Sequence, residues 1–362
     1  MNDRPTFRSP RIPLRVQMCS GPTLAAPTRP TNRYHDDEVD TGLARPRQLR
    51  PCAGRTSAPS GCITVAKSGG QYTTIQAAVN SLPGSSSARC VFIQPGTYTE
   101  QVLVDASKGA VTFYGYTDDT SSHAGNKVTI TSSKSQADGL TNDETATLRV
   151  KATNFKMYNV NVNNGHGPGS QAVALSAYAD SGYYGCAFTG FQDTLLTQTG
   201  RQLYAKCLIQ GATDFVFGQQ SFAWFEKSDI RVLKANLGYI TANGAAKSGA
   251  SEYVFNNCNV AAASGNSVAN GAYYLGRPWG AYAQVVFQKT SLSSVINGAG
   301  WSVWNKGDER TGGVMFGEVG NTGAGASGSR ASFSKKLGSA VDIAAILGSG
   351  YTSKGYYDAA YM

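Results

Sequence analysis

The sequence predicts an all-β chain wound as a parallel β-solenoid, and three observations carry that prediction. First, six short segments alternate apolar and polar residues: "NFKMYNVNV", "GYYGCAFTG", "QLYAKCLIQG", "FAWFEKSDIRV", "EYVFNNCNV" and "QVVFQKTSL". One apolar residue near the end of each, Val162, Phe188, Ile209, Ile230, Val260 and Leu292, recurs at steps of 26, 21, 21, 30 and 32. Second, Gly, Asn, Ser and Thr punctuate the segments, as turns require. Third, 42 glycines and only 15% charged residues leave no long tract of helix formers. Steps of this length are too short for strand–helix–strand units and suit one coil of two or three short strands, with loops lengthening some coils. A β-sandwich also has short turn-bounded strands, but columns of residues in step are not expected of antiparallel pairing.

Taken in chain order, residues 1–61 stand apart. They hold most of the 13 prolines, ten Arg and no Lys, carry a charge of +5 (ten Arg against five acids), and show no period. They read as a disordered arm preceding a single solenoid domain over 62–362, which carries the remaining +4. The arginines are scattered among prolines and the acidic run "HDDEVD", which argues against nucleic-acid binding. The start, "MNDRPTFRSPRIPLRVQM", has no apolar core of a secretion signal. No apolar run is long enough to span a bilayer, which argues against an integral membrane protein. "RCVFIQPGTY" and "AVTFYGY" look like earlier coils of the same series. Seven cysteines without metal-type clustering, and three histidines, predict no metal site. Cys186 and Cys207 are 21 residues apart, a spacing that permits a disulfide across adjacent coils without requiring one.

The chemistry concentrates in "GFQDTLLTQTGRQLYAKCLIQGATDFVFG", residues 190–218. Asp193 and Asp214 are one 21-residue coil apart, so they are expected on adjacent parallel strands, about 4.8 Å from one another. Gln171 and Gln192 share the same offset. Two carboxylates so close cannot both ionise freely; one is expected to rise and hold its proton, the other to stay charged beside a cation. "YYLGRPWG" supplies that cation as Arg277, next to Trp279. Glutamine amides donate hydrogen bonds without charge, which suits a developing oxyanion. A carboxylate, a carboxylic acid and two amide donors together describe acyl transfer on an ester. The blander readings are a turn-capping Asp, a structural Gln ladder and a surface Arg stacked on Trp. The coincidence of all these residues at matching offsets favours the catalytic one.

"GTYTE" (96–100), "QAVAL" (171–175), "GFQDTL" (190–195), "DFVFG" (214–218) and "LGRPW" (275–279) resemble, in order and approximate spacing, the signature segments of the pectin methylesterases. "YYGCAFTGFQDTLL", "YITANG" and "AYYLGRPW" look closest to the fungal members, and the resemblance covers roughly 61–360. It implies a single-stranded right-handed parallel β-helix and an enzyme that removes C6 methyl esters from methylated homogalacturonan without cofactor or metal. By the same resemblance Asp214 is the nucleophile and Asp193 the acid/base. Gln171 and Gln192 form the anion hole, Arg277 holds Asp214, and Trp279 lines the sugar groove. A secreted monomer acting on pectin is implied. One departure is Gly317 in "FGEVGNTGAGA", where fungal relatives usually carry a larger or acidic residue. The alternatives are a polygalacturonase or pectate lyase on the same fold, or a non-catalytic solenoid binding polysaccharide through Trp224, Trp279 and groove tyrosines.

Overall fold

The structure is a computed structural model that describes residues 53–84 and 89–362. The strands pair in parallel throughout and stack into three sheets of 11, 8 and 7 strands. Each full coil visits the three in turn. Thr199–Ala205 lies in the first sheet, Leu208–Gly211 in the second and Val216–Gly218 in the third, and Gln220–Glu226 then returns to the first. The path is a right-handed parallel β-helix, the hand that parallel crossovers take. The expected apolar column is found in register: Val162, Phe188, Ile209, Ile230, Val260 and Leu292 pair one with the next along the second sheet. Ile130 and Tyr98 extend it toward the N-terminus.

The sharp corner between the first and second sheets explains the period. It is turned by one residue in the left-handed region, successively Asn159, Gly185, Lys206, Lys227, Asn257, Lys289 and Gly320, with φ between 48° and 65°. Only at Gly185 would a side chain collide, since a Cβ there would sit 2.7 Å from Asn159 Nδ2. After five of these corners comes a small hydroxyl or thiol residue that donates to a carbonyl one coil back. The pairs are Cys186 to Met157, Cys207 to Tyr183, Ser228 to Tyr204, Cys258 to Phe225 and Thr290 to Phe255, at 3.2–3.4 Å. Cys186 and Cys207 are therefore members of this ladder and remain thiols. Among the described residues a disulfide joins Cys62 and Cys90 and ties the strands Ile63–Val65 and Arg89–Ile93 at the N-terminal end.

Inside the coil, like residues stack on like. Tyr183, Tyr204, Phe225, Phe255 and Phe287 form one column with ring centroids 4.3–4.8 Å apart. The helix Ile75–Ser81 closes the N-terminal end with Ile75, Ala78 and Val79 buried, its first two N–H groups held by the Glu100 carboxylate at 2.9 Å. The outer face of the first sheet is itself apolar (Tyr158, Tyr184, Leu203, Trp224, Val254, Val286) and is covered by the C-terminal segment through Ile346, Leu347, Tyr356 and Tyr361. Trp224 lies under that cover, only 3% exposed, so it is no part of a sugar groove. Gly317 is explained by the same cover, because a Cβ there would come within 2.8 Å of Leu337.

The expected arm over 1–61 falls outside the described residues up to 52. Within the described part, Arg55 is docked on the solenoid. It bridges to Thr117, donates to the Gly115 carbonyl and Asn159 Oδ1 at 3.2 Å, and lies 5.0 Å from the Tyr114 ring centroid.

Phe255 touches an aromatic ring on both sides, so Phe255→Ala opens a void the rigid ladder cannot close. The expected loss is about 3–5 kcal/mol, read as a lower denaturation midpoint; a loss under about 1 kcal/mol, no more than an ordinary substitution costs, would deny the column its role.

Candidate active site

The site forms where the chain enters the seven-stranded sheet. Asp193 and Asp214 precede the strands Leu195–Thr197 and Val216–Gly218, so they sit in adjacent turns and not, as expected, within the strands themselves. Both adopt left-handed backbone, φ 62° and 50°, a conformation that Asp tolerates better than most residues. The turns are locked to one another. Gln192 bridges to Thr213, the Asp193 N–H donates to the Thr213 carbonyl (3.0 Å), and the Ala212 N–H donates to that of Phe191 (2.7 Å). The 21-residue offset thus carries one carboxylate onto the next coil directly above the other.

The offset between the glutamines has a subtler origin. The Ala172 N–H donates to the Gln192 carbonyl at 3.1 Å, which keeps 171 and 192 one coil apart at 21 residues. Just beyond, the N–H groups of Ala174 and Leu175 both reach the Thr194 carbonyl, at 2.8 and 3.2 Å. This bulge drops the offset to 20, so that Leu175 pairs with Leu195. Gln171 is held from the other side by the Gln136 N–H, which donates to its carbonyl at 2.9 Å.

Arg277 follows the strand Tyr273–Gly276 and meets Asp214 with a two-pronged ion pair, Nε to Oδ1 at 2.9 Å and a terminal nitrogen to Oδ2 at 2.6 Å. Its guanidinium lies 4.1 Å from the Tyr239 ring centroid and 4.3 Å from that of Trp304, and donates to the Trp304 carbonyl at 3.4 Å. Such a fork fixes both the charge and the orientation of the carboxylate. Trp279 packs on Gly244, where a Cβ would fall 2.6 Å from the indole, and faces Phe217 at 6.2 Å between centroids.

Gln171, Gln192, Asp193, Asp214, Arg277 and Trp279, the six residues singled out from the sequence, line one cavity of about 350 Å³. Gln136, Asn142 and Trp304 line it too and were missed. Gln136 and Asn142 are joined by a 2.9 Å hydrogen bond on a segment between strands, and Trp304 comes from a loop after the last strand of this sheet, so no period marks them. A larger hollow of about 900 Å³ at the C-terminal end is built around the Arg330–Glu318 ion pair and holds neither aspartate.

Both aspartates are 7% exposed. Burial, then the neighbouring Asp214 charge, push Asp193 well above the usual carboxylate range, with Arg277 opposing. Burial lifts Asp214 as well, and the hydrogen bonds and charge of Arg277 work against that lift. The two acids are therefore unequal: one has a cation of its own, the other faces its neighbour's charge. A proton donor and an anchored carboxylate beside amide donors can split an ester without water as the first attacker.

A family profile for pectinesterases matches residues 62–342. The chain is 52% identical over 316 residues to the pectinesterase of Aspergillus aculeatus, spanning 86% of this chain and 95% of that one. Among solved structures it is similar to the pectin methylesterase of Aspergillus niger, with 42% identity and a TM-score of 0.79 over 85% of this chain and 100% of the other. It is also similar to pectin methylesterase from carrot, with 28% identity and a TM-score of 0.73 over 83% and 98%. These likenesses favour neither the lyase or polygalacturonase reading nor a solenoid that only binds. With a family match over most of its length and a relative half identical to it over 86% of its residues, the chain belongs to the pectinesterase family, carboxylic ester hydrolases that release methanol from the methyl esters of pectin.

Proposed function

We propose that Asp214 is the nucleophile of this pectinesterase and Asp193 its general acid and base; the observation that carries the assignment is the fork of Arg277 on Asp214 alone. Asp214 attacks the C6 carbonyl carbon of a methylated galacturonate. The oxygen that gains charge accepts hydrogen bonds from the amides of Gln171 and Gln192, which strengthen as the tetrahedral centre forms. Collapse breaks the bond to methoxide, and Asp193 gives it the proton that makes methanol. The anhydride left on Asp214 is attacked by water, whose proton returns to the Asp193 carboxylate; a free galacturonate departs and Asp214 is regenerated. Trp279 and Trp304 flank the cavity as apolar walls for sugar rings. The enzyme acts as a secreted monomer on pectin outside the cell, and residues 1–52, which precede the family match, serve neither fold nor turnover. Deleting them is expected to leave specific activity and melting temperature unchanged, and a clear fall in either would give them a part in the enzyme.

Methanol release and acid production from highly methylated pectin test the assignment. Asp214→Asn is expected to abolish turnover and Asp193→Asn to lower it by several orders of magnitude with the fold intact. Gln171→Ala and Gln192→Ala are each expected to lower kcat about 10²–10³-fold with little change in KM. A glutamine variant that melts earlier yet turns over normally would reduce that glutamine to a structural ladder member.

The raised Asp193 also predicts a stability cost with a definite pH window. Below about pH 4, the ordinary aspartate value, Asp193 is protonated in both folded and unfolded chains and costs nothing. As pH rises toward its elevated value in the fold, the unfolded chain ionises first and folding loses ground. Asp193→Asn should therefore melt above the wild type at pH 7 and coincide with it near pH 3. Equal melting temperatures at both pH values would contradict the strained carboxyl.

A further inference from the structure

The two tryptophan walls belong to distant segments, and one side chain joins them. Arg310 donates to the main-chain carbonyl of Trp279 and lies 5.0 Å from the ring centroid of Trp304. Its remaining nitrogens are clasped by Asp308, with Nε to the two carboxylate oxygens at 3.1 and 3.0 Å and a terminal nitrogen at 2.7 Å. The backbone is shaped for this. Asn305 and Asp308 close a tight turn by mutual N–H to carbonyl bonds at 3.1 Å, the Trp304 N–H donates to the Glu309 carbonyl at 3.2 Å, and Arg310 itself takes φ 55°. An arginine in left-handed backbone is held there by its surroundings at some steric cost.

Trp304 in turn carries the contact inward. Its ring lies 4.3 Å from the Arg277 guanidinium and its carbonyl accepts from the same group, so the loop 302–310 lies on the side chain that grips Asp214. We propose that Arg310 is a positioning residue that latches this loop across the site, fixing the spacing of Trp279 and Trp304 and so the width of the slot a galacturonate ring enters. The loop is otherwise exposed from Asn305 to Glu309, and Asp308 shields little of its own surface, so the ion pair alone contributes little to stability. What Arg310 supplies is order: the walls are set before substrate arrives, and binding is spared the cost of arranging them. A lysine could keep the charge but offers neither a flat face to the indole nor a fork for Asp308.

The chain has four tryptophans, and two of them, Trp224 and Trp301, are 3% and 1% exposed. Collisional quenching of tryptophan fluorescence by acrylamide therefore reports mainly on Trp279 and Trp304, with no substrate present. In the full chain, Arg310→Ala is expected to raise KM for methylated polygalacturonate about 3- to 10-fold, the factor that ordering one or two side chains commonly brings, with kcat within about twofold of wild type, and to steepen the quenching slope. Arg310→Lys should resemble Arg310→Ala in both readouts. A lysine variant with wild-type KM and quenching would overturn the latch in favour of simple charge. So would unchanged quenching in Arg310→Ala, or a fall in kcat at constant KM. The proposal takes its slot from the site assigned above, and the two can fail separately. Full turnover by Asp214→Asn would sink that site without altering the quenching result, whereas an inactive Asp214→Asn with unchanged quenching in Arg310→Ala would sink the latch alone.

Discussion

Parallel pairing at a fixed register is the constraint on which the rest of this molecule depends. Every backbone hydrogen bond between coils sets a residue over its counterpart about one strand spacing away, so whatever occupies a position in one coil meets its own kind in the next. For aromatic rings, small hydroxyls and thiols this repetition is favourable, and the columns through Tyr204, Phe225 and Phe255 and through Cys207, Ser228 and Cys258 exploit it. For carboxylates it is not. Asp193 over Asp214 is a stacked pair in which the repeat works against folding, and it lines the candidate site.

The molecule breaks the symmetry of that pair with a single cation from two coils further on. Arg277 binds one carboxylate by both oxygens and leaves the other facing its neighbour. Two identical side chains then hold a proton unequally without any difference in depth, since both are equally buried and only one has the Arg277 hydrogen bonds working against the upward push. Tyr239 and Trp304 pack against the same guanidinium, their ring centroids 4.1 and 4.3 Å away.

The same constraint decides what a reader of the sequence can and cannot see. Residues that repeat because the backbone repeats are legible from spacing: the column from Val162 to Leu292, the aspartates and Cys186 with Cys207. The spacing identified the thiol pair correctly as neighbours but could not say that a carbonyl, and not a disulfide, satisfies each. The Ala174–Leu175 bulge was invisible, because it changes the count only after Gln171 has been placed. Gln136, Asn142 and Trp304 escaped because they lie between strands or in a loop, where no repeat marks them. Trp224 was misjudged because the face it occupies is apolar for the sake of a segment that returns from the far end of the chain. The resemblance in "GFQDTL", "DFVFG" and "LGRPW" assigned roles that periodicity alone left open.

That returning segment changes how the molecule behaves as it is made. Coils of a solenoid touch only their neighbours and can form one after another as the chain emerges from the ribosome. Here, however, Asp358 accepts from the Tyr158 hydroxyl across 200 residues, and the Tyr361 hydroxyl donates to the Thr120 carbonyl across 241. The greasy flank formed by Tyr158, Tyr184, Leu203 and Trp224 thus precedes its cover in the chain by more than a hundred residues and stays bare until residues 341–362 are in place. Residues 341–362 act as a clasp that ties coils far apart in the chain to one another, and a chain lacking them would carry a coil with an adhesive side.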